Sequence, residues 1–194
     1  MNFLAHILLS GSDPSIRFGN FIGDEIKGAQ FKRFPEAIQK GIKLHRRIDG
    51  FTDSNTKTRE ILKLLYPKLG KVAGIALDIY NDHFLAEYWQ DYSSEELEAF
   101  TLHFYEELDQ FEEHVPEKME RLIYFMKKDN WLLHYRDKSR LSVTFENMVR
   151  KYPFAKQLEF ASDCLDDNYS EINRYFKSFF PDLQEDAKSF LLSH

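Results

Sequence analysis

The sequence predicts an all-α protein, and three observations carry that expectation. Apolar residues recur at helical spacing through most of the chain. Explicit helix-start signals appear again and again. Alternating strand patterns bounded by turn dipeptides are absent. A length of 194 residues, 43% of them hydrophobic and 30% charged, suits one soluble domain with a real core. The 15% aromatic content, with 18 Phe and 10 Tyr, argues against disorder. We therefore expect a single domain over residues 1–194, with motifs in 1–90 and supporting helices in 91–194.

Taken in order, helices are expected over 2–10, 14–27, 35–51, 54–67, 70–90, 94–114, 116–128, 138–151 and 154–179, with a last one near 181–192. "MNFLAHILLS" lacks a basic leader and a small-residue cleavage site, so it reads as a core helix of a cytoplasmic protein and not as a signal peptide. "SDPS" starts the second helix and Pro35 the third. "DSNT" starts the fourth, where Asp53 is expected to cap. "SSEELEAFTLHFYEELDQF" places Leu97, Phe100, Phe104, Leu108 and Phe111 on one apolar face. "VPEK" puts a proline near the next first turn. No apolar run approaches the ~20 residues that span a bilayer, and no membrane partner is expected.

Charge is uneven beneath the net value of −6. Between Lys27 and Arg47 stand seven basic residues and one acid, Glu36; between Asp91 and Glu117 stand ten acids and no Lys or Arg. The acidic run reads as a solvated helix face. The basic run (Lys27, Lys32, Arg33, Lys40, Lys43, Arg46, Arg47) suits an anionic partner. The single Cys164 excludes an internal disulfide and a multi-thiolate zinc site, so any metal must be held by His, Asp or Glu.

Three stretches carry candidate chemistry. "FGNFIGDEIKG" (18–28) spends three glycines inside or at the end of a helical pattern, at about 1 kcal/mol for each interior one. That cost implies close helix packing or close approach of a ligand. Asp24 lies one turn after Asn20; its ordinary reading is a surface acid paired with Lys27. In "LHRRID", His45 and Asp49 are i, i+4 and share a helix face, the spacing by which a helix presents two ligands to one metal. Taken alone, that pair is a common surface hydrogen bond. Arg46 and Arg47 could clamp a phosphate. "LDIYNDHFLAEYW" (77–89) sets Asp78, Asp82 and His83 on an otherwise apolar helix, where unpaired charge costs several kcal/mol. A functional role is the expectation there. His103, His114, His134 and His194 lack complementary neighbours in sequence, and Trp131 and Tyr135 look like packing anchors. His6 reads either as a core histidine bonded to backbone or as a ligand.

As a set, "MNFLAH", "GNFIGDEIKG", "GIKLHRRIDGFTD" and "LDIYNDHFLAEYW", in this order and spacing and followed by "WLLHYRD", resemble the acyl carrier protein phosphodiesterase family. The resemblance implies a single-domain helical bundle distantly like the HD-domain phosphohydrolases. It also implies hydrolysis of the phosphodiester joining 4′-phosphopantetheine to a serine of holo-acyl carrier protein, with a divalent cation, typically manganese. Carried over by motif, His6, Asp24, His45, Asp82 and His83 become candidate metal ligands. Asp49 and Asp78 become candidates for general base or water holder, with Arg46 and Arg47 as charge stabilisers. A His/carboxylate set without thiolate suits Mn²⁺ or Mg²⁺. Acyl carrier protein is acidic, so Lys27, Lys32, Arg33, Lys40 and Lys43 form a candidate docking surface; this last step follows from the charge distribution alone. No nucleic acid partner is expected. Two other readings compete: a similar phosphohydrolase acting on a nucleotide, which needs an enclosed base pocket, and a non-catalytic helical interaction module whose polar clusters are buried networks.

Overall fold

The computed structural model describes residues 1–193, so His194 lies outside the described residues. These residues are helical almost throughout and contain no strand. The α-helices are α1 (Phe3–Leu8), α2 (Pro14–Phe21), α3 (Glu36–Ser54), α4 (Thr56–Leu69), α5 (Ala73–Glu87), α6 (Leu97–Leu108), α7 (Glu117–Lys128), α8 (Lys138–Lys151), α9 (Ala161–Asp167) and α10 (Tyr169–Ser193). Short 3₁₀ turns join many of them.

At the centre stands α5. Leu77, Ile79, Tyr80, Phe84 and Leu85 are buried around its circumference, and it packs against α1, α4 and α10. Full burial of such side chains is worth roughly 1.5–3 kcal/mol each. A polar residue on this helix therefore needs a partner, and Asp82 and His83, both buried, each have one.

The tightest helix crossing is that of α2 on α3. A Cβ on Gly19 would run into the Ile38 carbonyl oxygen, and one on Gly41 into that of Ile16. The two backbones thus touch, which fixes Asn20 on α2 against the face of α3 that carries His45. The start of α2 is built as its sequence predicts: Asp13 accepts from the backbone N–H groups of Ser15 and Ile16, and Pro14 fills the first turn.

Several boundaries differ from expectation. The helix expected over 14–27 stops at Phe21 and gives way to 3₁₀ turns at Gly23–Glu25 and Gly28–Arg33. Gly28 has φ +52°, a backbone shape other residues rarely adopt. Asp53 does not cap α4. It lies in the last turn of α3, and Asn55 caps instead, accepting from Lys57 N–H at 2.9 Å. The expected pair 154–179 and 181–192 is divided elsewhere: a 3₁₀ turn (Pro153–Phe160), then α9, then one unbroken α10 with Pro181 inside it. An interior proline costs about 3 kcal/mol. Phe179, Phe180 and Leu183, all fully buried around it, supply more than that.

Candidate metal centre

Four side chains from three elements converge. His6 comes from α1, Asp24 from the turn Gly23–Glu25, and His45 and Asp49 from one face of α3. Asp49 Oδ1 lies 3.3 Å from His6 Nε2, and its Oδ2 lies 3.1 Å from His45 Nε2. Asp24 Oδ1 is 3.3 Å from the same His45 nitrogen. The two imidazoles stack, with centroids 4.1 Å apart and planes 18° from parallel. Both rings are buried, whereas the side chains of Asp49 and Asp24 are 40% and 76% exposed. The cluster therefore opens to solvent on its carboxylate side.

The inner nitrogens explain why the outer ones point this way. His6 Nδ1 is 2.7 Å from Asn20 Oδ1. The amide is oriented by its other end, where Nδ2 donates to the His6 carbonyl and to Ser10 Oγ, each at 2.8 Å. Oδ1 is therefore the acceptor, and His6 carries its proton on Nδ1. His45 Nδ1–H donates to the Asn20 backbone carbonyl at 2.8 Å. Gly23 makes room for that ring, since a Cβ there would collide with His45 Cγ.

Burial pushes the His6 pKa down and the neighbouring His45 adds to this, so His6 is neutral. Its Nε2 then has nothing to donate to Asp49, and a lone pair faces a carboxylate 3.3 Å away. Burial acts downward on His45 as well, but hydrogen bonds to Asp24 and Asp49 outweigh it and raise its pKa to about 9. Burial of Asp49 is likewise outweighed, through its contact with the protonated His45, and its carboxyl is held well below the usual range. Asp24 is lowered by its bond to His45. The cluster thus sets the His6 lone pair and two ionised carboxylates around the Nε2 proton of His45, a place for a cation once that proton leaves.

A divalent cation fits that arrangement. One donor atom each from His6, His45 and Asp49 lies within 4.8 Å of the others. The contacts of 3.1–3.3 Å compare with about 3.0 Å between neighbouring ligands of an octahedral ion at about 2.1 Å. The buried Nε2 of neutral His6 lacks a hydrogen-bond partner, as expected of a ligand awaiting a metal. The cavity beside them, lined by residues that include Met1, Asn2, Phe21 and Asp24, measures about 10 Å³, room for about one water.

The other predicted site residues lie elsewhere. Asp82 accepts from the Leu4 and Ala5 N–H groups at 2.8 and 3.2 Å, so it caps α1 from across the core. Asp78 pairs with the Met1 α-ammonium at 2.9 Å. His83 points the other way: Nδ1–H donates to the Tyr135 carbonyl, and Nε2 lies 3.4 Å from Tyr169 Oη. These three do not join the His6–His45 group as ligands, because each is committed to holding the ends of α1 and the 133–136 turn. Arg46 donates to the Ile26 and Gly28 carbonyls over the Phe31 ring, and Arg47 forms a bidentate pair with Asp186 of α10. Both guanidinium groups are spent on structure. Lys27, Lys32, Arg33 and Lys43 are exposed, Lys43 over Phe31; Lys40 is half-buried and donates to the Leu191 carbonyl.

Over residues 1–183 the chain matches the family model described as acyl carrier protein phosphodiesterase. The chain belongs to the acyl carrier protein phosphodiesterase family. Similar proteins of that name include one from Photorhabdus laumondii, 30% identical over 97% of this chain and 96% of the relative. Another, from Escherichia coli O6:H1, is 31% identical over 96% of this chain and 97% of the relative. One from Enterobacter sp. strain 638 is 29% identical over 97% and 98%. No solved structure matches significantly. As a member of the acyl carrier protein phosphodiesterase family, the chain is a phosphodiesterase-type hydrolase.

Sequence reasoning missed two contributors. Asn20 was noticed only as a neighbour of Asp24, yet it holds both imidazoles. Tyr135, read as a packing anchor, also accepts a hydrogen bond from Asn2 at 2.8 Å beside the cavity. The signal for Asn20 was its complete burial within a glycine-flanked turn of helix, which spacing alone does not reveal.

Proposed function

We propose that this protein hydrolyses the phosphodiester between 4′-phosphopantetheine and a serine of holo-acyl carrier protein, using Mn²⁺ or a similar divalent ion, in the cytoplasm. Family membership supports the substrate. The single observation that supports the metal is the buried, unpartnered Nε2 of His6, aimed at the Asp49 carboxylate that also meets His45. His6, His45 and Asp49 would hold the ion, with Asp24 beside it. Bound there, a divalent cation supplies Lewis acidity that activates water and offsets phosphoryl charge.

The chain's own groups do the rest. Asn20 and Asp49 orient the two rings. Asp24, ionised and mostly exposed at the rim, accepts the proton of the attacking water. As the P–O bond to serine breaks, the serine oxygen takes up a proton, giving apo-carrier protein and free phosphopantetheine. Asp78 and Asp82 fix the start of α1 and hence His6. Lys27, Lys32, Arg33 and Lys43 offer a basic rim to an acidic partner. A distant kinship with HD-domain enzymes belongs to this proposal.

A water-sized cavity leaves no room for a nucleobase and so favours a phosphodiester presented from outside, on a protein, over a nucleotide. The interaction-module reading is disfavoured by the unrelieved contact between His6 Nε2 and Asp49, which a settled buried network would not keep. Mass spectrometry of holo-acyl carrier protein incubated with the protein and Mn²⁺, with H45A alongside, tests the proposal. We expect loss of the phosphopantetheine mass with wild type only, and none under chelation. Intact carrier protein despite bound Mn²⁺ would overturn the substrate assignment, and absence of bound metal would overturn the metal.

A further inference from the structure

The four side chains at the centre share one neighbour that is not itself a ligand. Asn20 is fully buried and every polar atom of its side chain is used: Oδ1 by His6 Nδ1, and Nδ2 by the His6 carbonyl and Ser10 Oγ. Its backbone carbonyl takes the Nδ1 proton of His45. One residue therefore fixes both imidazoles, the first through its side chain and the second through its main chain.

The alternative that Asn20 prevents is specific. Without an acceptor beside Nδ1, the His6 proton gains more on Nε2, where Asp49 Oδ1 waits 3.3 Å away. An Nε2–H···Asp49 bond would satisfy both groups and close the face on which a metal would bind. Neutral imidazole places its single proton wherever the better acceptor lies, so the hydrogen bond at one nitrogen decides the availability of the other. The site of α2 that delivers this acceptor is also rigid, because Gly19 and Gly41 bring α2 and α3 into backbone contact on either side of it.

We infer that Asn20 is a positioning residue that holds His6 in the Nδ1–H tautomer and so keeps Nε2 open toward Asp49 for a divalent cation. The inference rests on the metal reading above, but its first test does not need metal. In ¹⁵N-labelled, metal-free protein at mildly alkaline pH, long-range ¹H–¹⁵N correlation spectra report which imidazole nitrogen carries the proton. Wild type is expected to show His6 protonated on Nδ1. N20L keeps the main-chain bond to His45 but removes the acceptor for His6, and is expected to move the His6 proton to Nε2. N20D restores an acceptor and is expected to return it to Nδ1, although it loses the bonds given to the His6 carbonyl and Ser10.

Titration with Mn²⁺ is the second readout. N20L is expected to bind about 10–100-fold more weakly than wild type, and N20D to recover most of the loss. A wild-type His6 already protonated on Nε2 overturns the inference outright, whether or not any variant folds. So does an N20L protein with an unchanged tautomer and unchanged Mn²⁺ affinity. If wild type binds no divalent ion while the tautomer follows Asn20 as stated, the positioning role stands and the metal reading falls.

Discussion

Asp49 touches both buried histidines at once, one carboxylate oxygen for each: Oδ1 toward His6 and Oδ2 toward His45. It is the only one of the four converging residues in contact with both rings. We therefore expect D49N to lower Mn²⁺ affinity and hydrolysis of holo-acyl carrier protein by at least about 100-fold, more than any neighbour of the ligands would. Calorimetric titration and single-turnover mass spectrometry measure the two effects. A D49N enzyme retaining near-wild-type activity would show that the cluster is not the reactive centre.

Metal and proton compete for His45. Its pKa, raised from 6.5 to about 9, means that in the metal-free protein Nε2 carries a proton that must leave on binding. Mn²⁺ affinity is expected to rise roughly tenfold per pH unit up to about pH 9 and then to level off. The sign for stability is opposite. A raised folded pKa means that the contribution of His45 is fully present below about 6.5 and is lost as pH climbs through about 9. Thermal melts of metal-free protein between those values check this, and a melting temperature that rises over the same interval would contradict it.

Asp82 is expected to matter for folding before chemistry. It accepts two main-chain N–H groups of α1 in a fully buried position, so D82A is expected to cost about 2–4 kcal/mol in chemical denaturation. Burial, partly opposed by those two bonds, raises its pKa to about 7. Its contribution is therefore complete below the ordinary carboxylate range and falls as pH rises through about 7. The gap between wild type and D82N shrinks over that interval. A pH-independent gap would refute the assignment of a buried, shifted carboxyl.

Gly23 separates position from stability. Its missing Cβ leaves space for the His45 ring, so G23A displaces the ring rather than the helix. We expect Mn²⁺ affinity to drop at least about tenfold while denaturant stability changes by about 1–2 kcal/mol. Equal losses in both would mean that the whole turn has moved.

The basic rim yields a kinetic prediction. K43E and K32E reverse exposed charges of the basic run without touching the residues of the metal centre. They are expected to lower kcat/KM for carrier protein about tenfold at low salt, to leave kcat nearly unchanged, and to lose their effect as salt rises. A fall in kcat that persists at high salt would assign these lysines to something other than docking.

Periodicity was enough to read the fold class and most helix centres, because an apolar face at 3.6-residue spacing is a property of each segment by itself. Helix ends were harder. Asn55 rather than Asp53 caps α4, and Pro181 does not break α10, because Phe179 and Phe180 beside it are buried against Phe51 and Tyr92, partners distant in sequence. In the candidate site, the i, i+4 spacing of His45 and Asp49 was readable, and so was the place of His6 and Asp24 in the motif set. The acids of α5 misled: cost of burial predicted that they must have partners, but could not say whether the partner was a metal or the N–H groups of α1. Asn20 was invisible for the same reason, since its value lies in hydrogen bonds that only the packing of α1 and α3 against α2 creates.

Two cations of the basic run, and Lys57 in the first turn of α4, reach across to the last helix. Lys57 meets Asp182, Arg47 meets Asp186, and Lys40 meets the Leu191 carbonyl, all beyond Pro181. Ahead of that proline, α10 is anchored by buried aromatic rings; after it, Leu183 and Ala187 are buried too, and ion pairs to Asp182 and Asp186 add to the hold. Raised ionic strength is expected to weaken the second half more than the first, so that amide exchange there quickens with salt while the first half and the histidine centre stay protected. Such a difference in exchange would make Pro181, which leaves the helix unbroken, the boundary between two differently held halves.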